Sequence, residues 1–388
     1  MSDRDLLVAC DLDCFFECLH GEKYIIFFGQ ICSPSCATIS PMQYDFVAFG
    51  DIVIDAFIKL QDAEEFNNHG VRELCVRFGE KVPFESVTEV LSVGNGPNAA
   101  VAAHKIGLKS GLVVHVGDDL NGTRCIDDLK SRGIDTSLIS RDAGYVTNYH
   151  YVLQFGPERT ILIKHAVFPY KLPAFDTPPK WFYLTSLPQE TLEHQISIAR
   201  YAKENGVKIA FQPGTFQIKL GTEKLKEVYE ASEIFFCNKE EAQKILGTEE
   251  SDIKKLMEGI RMLGPKIVVV TDGPNGSNIL YEDGPTSPPP SHEATEGTAG
   301  LRRTSAWHIP MYPDPAPPVS RTGAGDATAS TTVAYIIKGL EPKEALMRGL
   351  INAASVVQGV GAQTKLLTDA EIEEWYAKRP ADFIATAL

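Results

Sequence analysis

A carboxylate set directly after a glycine-rich turn is the feature of this sequence best suited to chemistry. In Val319-Ser320-Arg321-Thr322-Gly323-Ala324-Gly325-Asp326 two glycines bracket an alanine, Asp326 follows at once, and the small residues from Ala327 to Ala334 begin a helical pattern. Glycines let the backbone turn sharply and leave its N–H groups uncovered, while the helix start adds the positive end of its dipole. The product is an anion hole. An Asp that merely had to accommodate a phosphate would repel it, so Asp326 suits the removal of a proton. A base beside a cradle of N–H groups is close to a complete unit for phosphoryl transfer, where a protein mostly positions groups and neutralises charge. The plainer reading of the same residues is a helix start with an Asp in its first turn.

Other turns carry polar residues at the ends of apolar runs. Tyr44 to Ile54 reads as a buried first strand interrupted by Gly50-Asp51 and followed by a loop at Asp55. Gly94-Asn95-Gly96-Pro97-Asn98 runs into an alanine-rich helix, where Asn98 offers both a donor and an acceptor. Asn238-Lys239-Glu240-Glu241 and Thr271-Asp272-Gly273-Pro274-Asn275-Gly276 each follow a predicted strand. For Asn238 the simpler alternative is a helix cap.

T-G-A-G-D opening a small-residue helix, preceded in order by these turns, resembles the ribokinase (PfkB) family of sugar kinases. The resemblance covers Met42 to about Arg379. It implies that Asp326 deprotonates the acceptor hydroxyl while Gly323, Ala324 and Gly325 hold the transferred phosphoryl group. It assigns substrate hydroxyls to Asp55, Gly94, Asn95 and Asn98. The nucleotide falls to Asn238, Glu241, Thr271, Gly273, Gly276, Arg321, Thr322 and Asn352, with Glu241 acting on Mg²⁺ through water. Two departures stand out: Val93 replaces the first glycine of the family's G-G pair, and Ser320-Arg321 replaces an Asp-Thr pair. Arg321 could therefore bind phosphate, of ATP or of a phosphorylated acceptor.

Strand and helix alternate from Gly111 to Leu263, which predicts an α/β fold with a mostly parallel sheet covered on both faces and ligands beyond the C-terminal strand ends. Strand pairs without crossover helices, at about 72–93 (Leu74–Phe78 with Ser86–Val90) and about 145–166 (Tyr149–Phe155 with Arg159–His165), predict a small β lid. Proline clusters make about 283–318 a loop. With 388 residues, 44% hydrophobic and 23% charged, one main domain with a lid is the simplest organisation. The net charge of −14 argues against nucleic acid as a partner. No run of about 18 apolar residues predicts a membrane span.

Cys75, Cys125 and Cys237 are scattered singly and no C-x-x-C pair occurs, which fits a reducing cytoplasm. The other five cysteines crowd residues 1–41, a segment expected to be a disordered or non-native extension, with residues 42–388 forming the kinase domain. Cys10, Cys14 and Cys18 would share a helix face, so a thiol metal site is the alternative there. The resemblance implies an ATP- and Mg²⁺-dependent kinase for a primary hydroxyl of a sugar. A nucleoside acceptor is the rival, with Phe78, Tyr149 and Phe155 as aromatic residues able to stack on a base. A kinase for an already phosphorylated sugar and a non-catalytic sugar sensor are further alternatives. A monovalent-cation requirement and a homodimer are left open.

Overall fold

Short apolar strands joined by amphipathic helices build the sheet that carries the site. The computed structural model describes residues 43–388, apart from Pro157 and 283–303, together with the backbone of residues 16–19, 22–27 and 30–32. The chain divides into two units between Met42 and Gln43. In the first, β1 (Phe16–Leu19), β2 (Glu22–Phe27) and β3 (Gln30–Cys32) form an antiparallel sheet. Aromatic and β-branched residues favour strands in this segment, the one expected to be a disordered or non-native extension. Cys10, Cys14 and Cys36 lie outside the described residues.

The second unit begins with β4 (Phe46–Phe49), after which Gly50–Ile52 bends the chain into β5 (Val53–Leu60) of a different sheet. The single strand expected over 44–54 is thus two, and Asp55 lies within a strand rather than in a loop. Gly50 is needed at the bend because a Cβ there would fall 2.5 Å from Thr185 Oγ1. β6 (Glu64–Asn68) and β7 (Val71–Cys75) pair as an exposed hairpin, and β8 (Phe84–Val93) pairs antiparallel with β5. The expected pairing of 74–78 with 86–90 is therefore not formed. The largely buried, apolar β5 offers β8 a better partner than a polar hairpin arm does.

α1 (Asn95–Lys105), β9 (Ser110–Val113), β10 (His115–Gly117), α2 (Leu120–Ser131) and β11 (Ser140–Asp142) follow. β12 (Asn148–Phe155) and β13 (Glu158–Leu162) form the expected antiparallel pair, and complete a sheet of order β13-β12-β5-β8. The chain then alternates: β14 (Trp181–Leu184), α3 (Leu192–Asn205), β15 (Lys208–Phe211), the short α4 (Thr215–Leu220) and α5 (Lys226–Ala231), β16 (Ser232–Asn238), α6 (Lys239–Leu246), α7 (Ile253–Arg261) and β17 (Ile267–Thr271). β18 (Ser277–Glu282) and β19 (Thr304–Ile309) run antiparallel, so part of the expected proline-rich loop is a strand. The rest of that loop up to 303 lies outside the described residues. α8 (Ala324–Ile337), α9 (Pro342–Val356), α10 (Asp369–Ala377) and β20 (Thr386–Ala387) complete the chain.

Among the described residues the main sheet has the order β20-β19-β18-β17-β16-β15-β14-β4-β9, parallel from β17 to β9. Alternation along β4 sends Phe46 and Ala48 to one core with α1, α8 and α9, and Val47 and Phe49 to the other with α3, α5 and α7. α8 and α9 pack so closely that a Cβ on Gly349 would lie 2.5 Å from Thr328 O and Thr332 Oγ1. Gly349→Ala is expected to push the two helices apart and cost about 1–3 kcal/mol, as for other overpacked cores. Urea denaturation of the variant checks this, and an unchanged midpoint would refute the tight contact.

Candidate active site

The helix α8 starts at Gly323, which adopts φ 88°. A side chain there would be strained and would also strike Ala362, whose Cβ lies 2.4 Å from the position of a Gly323 Cβ. The loop at 361–363 is thereby pressed against the glycine turn. Ala327 N donates to Gly323 O at 2.8 Å, while the N–H groups of the preceding first-turn residues have no carbonyl in the helix to reach. These are the N–H groups that the sequence reading assigned to an anion hole.

Asp326 points from this first turn into a ring of amides. Asn95 Nδ2 donates to Oδ1 at 2.9 Å, Asn98 Nδ2 to Oδ2 at 2.7 Å, and Gln212 Nε2 to Oδ1 at 3.3 Å. Burial raises the carboxyl above the ordinary Asp range, and the donors, Asn98 first, pull it back. Gln212 is oriented in turn by the Tyr183 hydroxyl, which donates to its Oε1. Burial, and after it the charge of Asp326, keeps that phenol protonated. Gly94 brings α1 to this place: at φ 115° a Cβ would lie 2.3 Å from Asp51 O.

That contact joins the amide ring to a second polar cluster at the start of β5. Asp55 stands opposite His150 in the β5–β12 register, with Oδ1 3.4 Å from His150 Nδ1. Asp51 accepts from the Tyr170 hydroxyl and lies 3.0 Å from His165 Nδ1. The His150 and His165 rings meet edge-on at 5.1 Å, and His165 meets Phe216 at 5.8 Å. Asp55 Oδ1 and His150 Nε2 are buried without a hydrogen-bond partner among the described residues. Buried polar atoms left unpaired point to a ligand that would satisfy them.

The sequence reading missed Gln212, His150, His165, Tyr170 and Phe216. Only His150 carried a signal, since the period of two along β12 places it on the same side as the buried Asn148 and Val152. Of the aromatic residues expected to stack on a base, Tyr149 instead donates to Glu89 at 2.6 Å, and Phe78 is fully exposed.

Next to Asp326, at Gly325, two adjoining cavities of about 370 and 330 Å³ meet. Thr271, Gly273, Gly276, Arg321, Ala353 and Ala354 line the first, and Asn95, Gln212, Asn238, Glu241 and Gly325 line the second. A larger groove, of about 910 Å³ between Lys266, Trp307 and Lys343, shares none of these residues. Asn238 Oδ1 accepts from Glu241 N at 2.8 Å and Glu241 Oε2 from Asn238 N at 2.9 Å, so the pair caps α6 while facing the cavity. Arg321 is exposed at the rim, where its charge offsets part of the rise that burial gives the carboxyl of Asp314. Thr322 N donates to Ser320 Oγ at 3.2 Å, and Thr322 Oγ1 is buried with no hydrogen-bond partner among the described residues.

Asn352, expected at the nucleotide, is placed elsewhere. Its Nδ2 donates to Thr331 Oγ1 at 2.8 Å and its Oδ1 accepts from Leu367 N at 2.9 Å. A fully buried amide has to be satisfied, and α8 with the 367 backbone does so. The small neighbours Ala353 and Ala354 line the cavity instead.

A family model described as pfkB family carbohydrate kinase matches residues 71–369. The chain belongs to this family. It is 26% identical to the mouse ribokinase over 282 residues, covering 70% of this chain and 80% of that one. The fold matches the *Methanocaldococcus jannaschii* nucleoside kinase, an archaeal member of the ribokinase family, with a TM-score of 0.68 at 19% identity over 87% of this chain and 99% of that one. It also matches the *Arabidopsis thaliana* ribokinase complexed with ribose and ATP, with a TM-score of 0.66 at 17% identity over 86% and 98%. The sheet flanked by helices is thus the ribokinase fold, and no helix among the described residues is long and apolar enough to cross a membrane.

Burial raises the Glu241 carboxyl, so the folded state of this sugar-kinase family member holds the proton more tightly than the unfolded chain. The ionised form therefore costs stability above the unfolded value of about 4.3 and not below it. Glu241→Gln keeps the cap and removes this cost. Its melting temperature is expected to exceed the parent's at pH 7 and to converge on it near pH 4. Calorimetry at both values decides, and equal melting temperatures at pH 7 would count against a desolvated carboxylate at this position.

Proposed function

We propose that the protein is an ATP-dependent carbohydrate kinase that transfers the γ-phosphoryl group to a primary hydroxyl of an uncharged sugar, with Asp326 as general base. The observation that carries this reading is Asp326 itself: a carboxylate set into a ring of amides at a helix N-terminus, with two cavities meeting at the adjacent Gly325. In the reaction Asp326 takes the proton of the acceptor hydroxyl, the oxygen bonds to the γ-phosphorus, and the bond to the ADP oxygen breaks. The backbone of Gly323, Ala324 and Gly325 holds the charge of the transferred group.

The nucleotide fits the cavity between the Thr271–Gly276 turn and Ala353-Ala354, where small residues leave room for a flat base. Asn238 and Glu241 would hold Mg²⁺ through water, since their direct bonds go to each other and their cavity adjoins Gly325. When bound, Mg²⁺ neutralises phosphate charge. Asp51 and Asp55 supply acceptors for sugar hydroxyls, assisted by Gly94, Asn95 and Asn98 at the start of α1. Two carboxylates beside a third, Asp326, disfavour an acceptor that is already phosphorylated. The nucleoside alternative loses the support of Tyr149 and Phe78. A sensor without catalysis would have no use for a desolvated Asp at an anion hole.

Asp326→Asn keeps the shape and removes the base. Turnover is expected to fall roughly 10²- to 10⁴-fold with ATP binding retained, measured with the best acceptor from a screen of ribose, fructose, ketodeoxygluconate, fructose 6-phosphate and adenosine. Near-normal turnover would remove Asp326 from the mechanism. Arg321 at the cavity rim is expected to serve the nucleotide, so Arg321→Ala should raise the KM for ATP about tenfold for every acceptor. A loss confined to fructose 6-phosphate would reassign Arg321 to a substrate phosphate.

A further inference from the structure

Behind Asn98 a line of hydrogen bonds continues away from the site. Asn98 Oδ1 accepts from Gln363 Nε2 at 2.8 Å, and the same Nε2 donates to Ser92 O at 2.9 Å. Gln363 Oε1 accepts from Arg132 Nη1, and Arg132 Nη2 donates to Asp128 on the preceding turn of α2. Gln363 and Asn98 are buried, and Ala362 beside Gln363 is the residue pressed against Gly323. The relay therefore links α2, the loop after α9, α1 and the first turn of α8.

The polarity of this line is fixed at both ends. A guanidinium can only donate and an ionised carboxylate can only accept. Arg132 therefore presents N–H to Gln363 and forces its Oε1 outward, and the Ser92 carbonyl demands the amide nitrogen on the other side. That nitrogen then faces Asn98 Oδ1, which leaves Asn98 Nδ2 for Asp326. Without this support the orientation of Asn98 would rest on the carboxylate alone.

We propose that Gln363 is a positioning residue for Asp326: with Arg132 behind it, Gln363 locks the Asn98 amide in the one orientation that donates a hydrogen bond to the carboxylate. This inference rests on the reading of Asp326 as the base. The groups around Asp326 are the amides of Asn95, Asn98 and Gln212, and the ionisable one coupled to it is Tyr183, held neutral by burial. No charged side chain among the described residues donates to the carboxylate in their place, so the orientation of Asn98 bears directly on its proton affinity.

Gln363→Glu inverts one end of the relay. The new carboxylate keeps its pair with Arg132, which holds it ionised, but cannot donate to Asn98. Asn98 then turns its Nδ2 toward residue 363 and its Oδ1 toward Asp326, which loses its shortest donor. Loss of a donor to the charged form raises the carboxyl pKa.

The test is a ¹³C NMR titration of aspartate-labelled protein, with the Asp326 signal assigned by its absence in Asp326→Asn. The midpoint is expected to rise by about one pH unit in Gln363→Glu, and less, in the same direction, in Gln363→Met, which keeps the volume and removes both polar ends. Gln363→Met also keeps the question answerable if the buried carboxylate prevents folding. Midpoints equal to the parent's overturn the proposal, and so does a lowered melting temperature without a shifted midpoint, since that is structural support only. Carrying Asp326→Asn through the acceptor screen separates the two ideas. A variant that still turns over ends the reading of Asp326 as the base, whereas unshifted midpoints end only the relay.

Discussion

A carboxylate withdrawn from water has to be met by donors, and the meeting of Asp326 with three side-chain amides is the interaction on which this site depends. The donors come from α1, through Asn95 and Asn98, and from the end of β15, through Gln212. The acceptor comes from α8. Bringing them together requires two close backbone approaches, Gly323 on Ala362 and Gly94 on Asp51, where no Cβ fits. The α8–α9 contact at Gly349 sets the helix behind the carboxylate. Neutral amides rather than a cation do this work, and burial leaves the carboxyl above its usual range.

The same constraint sorts the rest of the molecule. In the proposed reading, neutral amides and unfilled helix N–H groups leave the region before α8 open to an anion, whereas Asp51 and Asp55 make the β5 side suited to hydroxyls and opposed to phosphate. Glu241 serves two ends at once, capping α6 and facing the cavity, at a cost in stability that a Gln would not carry. Functional sites often carry such a cost, and the burial of Glu241 and Asp326 is where it falls in this protein.

Much of this was legible in the sequence because backbone geometry leaves marks in residue type. Gly323, Gly94 and the run at 271–276 are glycine-rich where the chain turns sharply, and Asn238 and Glu241 stand three apart as a capping box must. Strand and helix alternation disclosed the parallel sheet for the same reason. Side-chain contacts across distant segments leave no such mark. Gln212, just after β15, reaches Asp326 of α8, and His165 and Tyr170, between β13 and β14, reach Asp51 before β5, contacts made only in the fold. Asn352 was misplaced because a polar residue on a helix looks alike whether it faces a ligand or is spent on Thr331 and the 367 backbone. The pairing of β8 with β5 was hidden by β5 being read as the tail of β4. A bend at Gly50 can end a strand or redirect it, and local sequence does not say which.

The pH dependence of single-turnover phosphoryl transfer tests the central claim most directly, because it isolates the chemical step from nucleotide release. With saturating ATP and acceptor, the rate is predicted to climb about tenfold per pH unit through one acidic ionisation lying above the ordinary aspartate value of about 3.9, and then to level off. A rate that is flat across the acidic range, or an acid limb that persists unchanged in Asp326→Asn, would contradict Asp326 as the group that takes the proton.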